Sequence, residues 1–119
     1  MADELRKRTR AFALEVVRLV ESLPNTRTAS VLGTQLLRCG TSVGANYRAS
    51  CRARARAEFV AKMGIVEEEA DEAIYWMELL VESGVLPQTK AQELLDEANQ
   101  ILAMVVSSIN TAKRAAGHK

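Results

Sequence analysis

Between Arg48 and Arg56 four arginines fall within nine residues, in "RASCRARAR". If the helix that enters this run continues, Arg48, Arg52 and Arg56 repeat at i,i+4 and form a basic stripe. Arg54 then stands elsewhere on the helix. In an extended segment Arg52, Arg54 and Arg56 would share one side instead. Clustered guanidinium groups bind phosphates, so Arg48, Arg52, Arg54 and Arg56 are the candidate nucleic-acid contacts. Their alternative use is in salt bridges to acidic residues of a neighbouring subunit. A second basic group, Arg6, Lys7, Arg8 and Arg10, lies near the start of the chain. The aromatic platforms of single-strand RNA readers are missing beside the 48–56 run, where Tyr47 is the only aromatic nearby and belongs to an apolar stripe.

Other chemistry is harder to build. Glu67 to Glu72 read "EEEADE". A di-iron site in a helical bundle needs Glu-x-x-His pairs from facing helices. The one histidine is His118, in the tail. Ser42, Ser50, Cys39 and Cys51 have no histidine to activate them. Lys62 stands in no recognisable motif, and no glycine-rich phosphate loop follows a strand. The expectation is a protein that is not an enzyme and uses no cofactor or metal. On a single helix, Cys39 and Cys51 would sit roughly 18 Å apart along the axis. They would then remain reduced thiols, as in a cytosolic protein.

The 119 residues are enough for one domain with one core. No apolar run approaches the roughly 20 residues that cross a bilayer. "MADELRKRTR" has no apolar stretch of the kind a signal peptide needs, so a cytoplasmic location is expected. Charge is divided between the halves. Residues 1–62 carry 12 Lys and Arg against 5 Asp and Glu, and residues 63–119 carry 4 against 10. Net charges of +7 and −6 follow. They imply either a face for nucleic acid or packing of one half against the other.

Four helical segments must position these groups, over about residues 3–23, 29–52, 57–83 and 90–114. Apolar residues recur at helical spacing in each. Examples are Leu5, Phe12, Val16 and Leu19 in the first segment, and Leu32, Leu36, Cys39 and Val43 in the second. Asp3 is a candidate N-cap, Gly84 a candidate C′ residue, and Thr89 with Gln92 a candidate capping box. The simplest architecture is an all-α, antiparallel up-down four-helix bundle in a single domain.

Gly40 and Gly44 lie beside the second apolar stripe and would let another helix approach closely, in the bundle or across subunits. In the third segment Ile65, Trp76 and Leu79 point away from the main apolar face, with Glu69 and Glu72 among them. An exposed Trp in such company marks a partner surface. The candidate oligomer interface is therefore Gly40, Gly44, Ile65, Glu68, Trp76 and Leu79. Asn46, Glu69 and Tyr75 are expected to form a polar network, because buried amides need partners.

Four stretches, "TSVGAN" (41–46), "NYR" (46–48), "EFVAKM" (58–63) and "YWMELL" (75–80), carry a resemblance. The run from Arg38 to Leu80 resembles the bacterial four-helix-bundle family encoded in intervening sequences of 23S ribosomal RNA genes. That family is related to the accessory variability determinant of diversity-generating retroelements. The resemblance implies a small cytosolic bundle that assembles as a ring, commonly a homopentamer, with a largely unassigned role. It also implies RNA or DNA, or a protein partner, on a basic surface. Three positions depart from the family pattern. Ala49 stands where Glu is frequent, Glu68 where Lys is frequent, and Ala55 where a Ser often caps the third helix. The first two changes suggest one altered contact, with Arg48 or Arg52 facing Glu68.

Overall fold

The computed structural model describes residues 2–117. His118 lies outside them. Four helices occupy nearly all of this span: α1 (Ala2–Glu21), α2 (Arg27–Ser50), α3 (Arg56–Glu82) and α4 (Gln88–Gly117). The described residues contain no strand. Consecutive helices pack on one another and α4 closes on α1, while the diagonal pairs do not meet at backbone distance. The result is a four-cornered bundle measuring 54 × 20 × 20 Å. Its core is formed by the stripes visible in the sequence. Leu5, Phe12, Val16, Leu36, Cys39, Val43, Met63, Met77, Leu80, Ile101 and Val105 are all buried. Each large side chain so buried contributes about 1.5–3 kcal/mol.

The contacts fix the direction of travel. Gly33 lies against Val20 and Leu23, Gly40 against Val16, and Gly44 against Thr9. Climbing α1 therefore means descending α2. The Tyr47 hydroxyl donates to the Ala2 carbonyl at 3.2 Å, which ties the start of α1 to the end of α2. Gly40 is where the approach is tightest. A Cβ there would stand 2.8 Å from both γ-carbons of Val16. At Gly44 the neighbour is backbone, with the Thr9 carbonyl oxygen 3.3 Å from a Cβ position. Both glycines are thus used inside the chain, at the α1–α2 crossing. Gly40 is buried in that crossing, while Gly44 is half-buried and also lines the groove outside it.

Helix ends depart from the sequence reading in instructive ways. Asp3 lies within the first turn of α1, where its charge suits the dipole, and does not cap it. Thr26 caps α2, its hydroxyl accepting from the Ala29 N–H at 3.2 Å. Ala55 offers α3 no side-chain cap. The Glu58 carboxylate, in the first turn, accepts instead from the Arg54 N–H just ahead of the helix at 3.2 Å. The α3 terminus follows expectation. Gly84 has φ +80°. The Val85 N–H reaches the Leu80 carbonyl and the Gly84 N–H reaches that of Val81, a Schellman pair. Thr89 is already inside α4, which begins at Gln88 after Pro87. Gln92 bonds the Gln88 side chain at 2.8 Å, so the expected capping box does not form.

Candidate functional site

α2 stops at Ser50, and residues 51–55 turn the chain into α3. Arg56 therefore does not continue the stripe that Arg48 and Arg52 begin. What continues it comes from α1. Arg6, Arg10, Arg48 and Arg52 line a groove of about 650 Å³ between α1 and α2, together with Thr9 and Thr41. The sequence of α1 places Arg6 and Arg10 one turn apart, and that of α2 does the same for Arg48 and Arg52. The Gly44–Thr9 contact sets the register that brings the two pairs to one groove. No carboxylate lines it. Arg6 lies 3.7 Å from Asp3, at an exposed position where such a pair has little strength. Two guanidinium groups about 6 Å apart repel by roughly 0.7 kcal/mol even in water. Four in one groove favour an anion between them. Arg54 and Arg56 are exposed at the same end of the bundle.

Arg8, in the same basic stretch as Arg6 and Arg10, serves a different purpose. It points to α4, where Nε and Nη2 meet the two Glu97 oxygens at 2.9 and 2.6 Å. Nη2 also donates to Gln100 at 2.7 Å. The Glu97 carboxylate, through its hydrogen bond, makes the Arg8 guanidinium still harder to deprotonate. Past this clamp α4 runs on from Met104, and Lys113 stands nine positions further, about 14 Å at helical rise. Exposed Lys113 and Arg114 thereby join the basic end.

A second charged cluster lies on the α2–α3 seam. Arg38 Nη2 is 3.1 Å from Glu72 Oε1, and Nη1 is 3.9 Å from Glu69 Oε2. The buried Glu69 Oε2 has no hydrogen-bond partner, so Arg38 holds it by charge alone. The Trp76 indole N–H donates to Glu72 at 3.3 Å. The Cys39 thiol is buried among these groups. Burial, then the Glu72 charge, pushes its pKa up to about 12. Cys39, Glu69 and Glu72 bring ligand atoms within 4.8 Å of one another. The Arg38 guanidinium already supplies the positive charge in that place.

Several expected positions fall elsewhere. Trp76 is half-buried against the core, while Tyr75, whose ring meets it edge-on at 5.1 Å, is the exposed aromatic. Asn46 joins neither Glu69 nor Tyr75; its amide donates to the Ser42 carbonyl at 2.9 Å. The hydroxyl–carboxylate–amide network expected from Asn46, Glu69 and Tyr75 is thus replaced by the Arg38–Glu72–Trp76 seam. Ile65 is exposed, Leu79 half-buried and Glu68 exposed. Arg48 and Arg52 face the α1 groove, not Glu68 on α3, so the expected contact does not form within the chain. The sequence reading missed the union of Arg6 and Arg10 with Arg48 and Arg52. Two i,i+4 arginine pairs on successive helices were its signal.

No helix of the described residues is long and apolar enough to cross a membrane. No curated protein matches the chain. A crystal structure of a protein of unknown function, from the S23 ribosomal protein family of Bacteroides thetaiotaomicron, is 32% identical. It superposes with a TM-score of 0.83 over 88% of this chain and 97% of that one. The family model described as 23S rRNA-intervening sequence protein matches residues 3–107, which spans all of α1, α2 and α3 but for Ala2, and most of α4. The chain belongs to the 23S rRNA-intervening sequence protein family.

Proposed function

We propose that this protein is a non-enzymatic, cytoplasmic, antiparallel four-helix bundle that assembles with copies of itself and associates with nucleic acid through phosphate contacts. The groove where Arg6, Arg10, Arg48 and Arg52 converge without a lining carboxylate carries this reading. Arg54 and Arg56 extend the basic surface beyond it. The opposed run of α1 and α2 supports the antiparallel arrangement. The assembly is read as a ring, with five copies by resemblance. Exposed Ile65 and Tyr75, with Glu68 between them and Trp76 and Leu79 alongside, form the candidate subunit contact.

A second reading makes the protein an oligomeric scaffold for protein partners, with the arginines in salt bridges between subunits. The acidic outer surface of α3 favours it: Glu67 to Glu82 include seven carboxylates and no Lys or Arg.

Filter retention of labelled RNA and DNA at low salt tests the first reading. Retention by the wild type, reduced in Arg48→Ala/Arg52→Ala and unchanged in Arg27→Ala, supports it. Arg27 is an exposed arginine at the start of α2, remote from the groove. No retention of either nucleic acid would remove it.

A further inference from the structure

Two surfaces of this chain complement each other but cannot meet within it. On α1, Arg6 and Arg10 are followed along the same exposed stripe by Leu14 and Val17, 49% and 37% exposed. Arg48 and Arg52 of α2 flank that stripe across the groove. On α3, Ile65, Glu68, Glu72, Tyr75, Leu79 and Glu82 recur at spacings of three and four, so one stripe holds them all. Ile65 is 45% and Tyr75 53% exposed. The first face is basic with aliphatic contacts, and the second is acidic with apolar contacts. α1 and α3 occupy diagonal corners and make no backbone contact. Their outer faces therefore point apart, and each can be covered only by another molecule.

We propose that the α1–α2 arginine groove of one copy seats the outer face of α3 of the next, so that a second copy and a nucleic-acid backbone compete for the same arginines. The competition rests on the reading of the groove as a phosphate site. The contact joins two different faces, so it is head-to-tail and closes into a ring if the rotation allows. Its basic side is a neighbour's ligand when the protein is assembled and a phosphate ligand when it is not. Arg38 takes no part, since Glu69 and Glu72 of its own chain hold it.

The test uses two double variants at exposed positions. Arg48→Glu/Arg52→Glu sets two carboxylates against Arg6 and Arg10, which leaves the groove without net positive charge opposite the acidic α3 face. Glu68→Lys/Glu82→Lys makes the α3 face basic and leaves the groove basic. Light scattering at low salt should find each variant alone as a monomer, with wild-type helicity by circular dichroism. An equimolar mixture should reassemble into larger particles that contain both variants, because only unlike copies then pair. A dT30 oligonucleotide should reduce the mass of the wild-type assembly. It should bind Arg48→Glu/Arg52→Glu about tenfold more weakly or worse.

Wild-type size in both variants, or a mixture that stays monomeric, overturns the docking. If oligonucleotide binding still falls in Arg48→Glu/Arg52→Glu, the phosphate reading survives that failure. If docking behaves as expected but dT30 binds this variant as well as the wild type, the phosphate reading fails, and the competition with it.

Discussion

Gly40→Ala puts the packing of the groove's two helices under the sharpest test. A methyl group there would meet both γ-carbons of Val16 at 2.8 Å and its Cβ at 3.1 Å. Val16 is fully buried and β-branched, and a valine in a helix has essentially one χ1 rotamer, so it cannot swing aside. Overpacking of this kind costs about 1–3 kcal/mol. Replacing a mid-helix Gly by Ala returns about 1 kcal/mol of helix propensity. The net expectation is a loss of about 1 kcal/mol, or about 4 °C in Tm for a chain of this length. Gly64→Ala is the matched control. It also lies within a helix, but nothing stands within 4 Å of its Cβ position. It should gain about 0.5–1 kcal/mol. In a Val16→Ala background, Gly40→Ala should also become stabilising, a coupling of about 2 kcal/mol. Urea unfolding at one fixed protein concentration measures all four variants. Equal stabilisation by Gly40→Ala and Gly64→Ala would refute the close crossing of α1 and α2.

Three further outcomes follow from particular residues. Ala55→Ser supplies α3 with the side-chain cap it lacks and should raise stability by about 1 kcal/mol in urea unfolding, whereas Thr26→Ala should lower it by about as much through α2. The Cys39 thiol is held protonated by burial, its pKa raised from 9.0 to about 12. The unfolded chain then binds fewer protons than the folded one above about pH 9. Stability should fall as pH rises from there to about 12, and Cys39→Ala should flatten this fall relative to its own neutral value. Iodoacetamide at pH 8 should label half-buried Cys51 ahead of buried Cys39, as peptide mass mapping would show.

The helices themselves were legible because their apolar spacing is regular, and because the Gly84 turn allows only one ending. The N-termini were less so. Asp3, Thr26 and Thr89 all carry capping side chains, and only the backbone conformation at each decides which one caps. The site was half legible. Arg48 and Arg52 announce themselves by spacing, but Arg6 and Arg10 join them through the register that Gly40 and Gly44 impose on α1. That register depends on contacts 24 and 35 residues apart in sequence, Gly40 with Val16 and Gly44 with Thr9. Trp76 misled for a related reason. Helical arithmetic turns it from the core, yet it packs half-buried against the core's edge, and Glu72 accepts its indole N–H.

The salt dependence of nucleic-acid binding tests the central claim most directly. Four groove arginines that displace counterions from a single strand give a log–log slope of roughly −3, from about −0.7 per phosphate neutralised. The account predicts a slope near that value for the wild type and one shallower by about half in Arg48→Ala/Arg52→Ala. The same steep slope in both proteins would contradict it, since the phosphates would then be held somewhere other than the groove between α1 and α2.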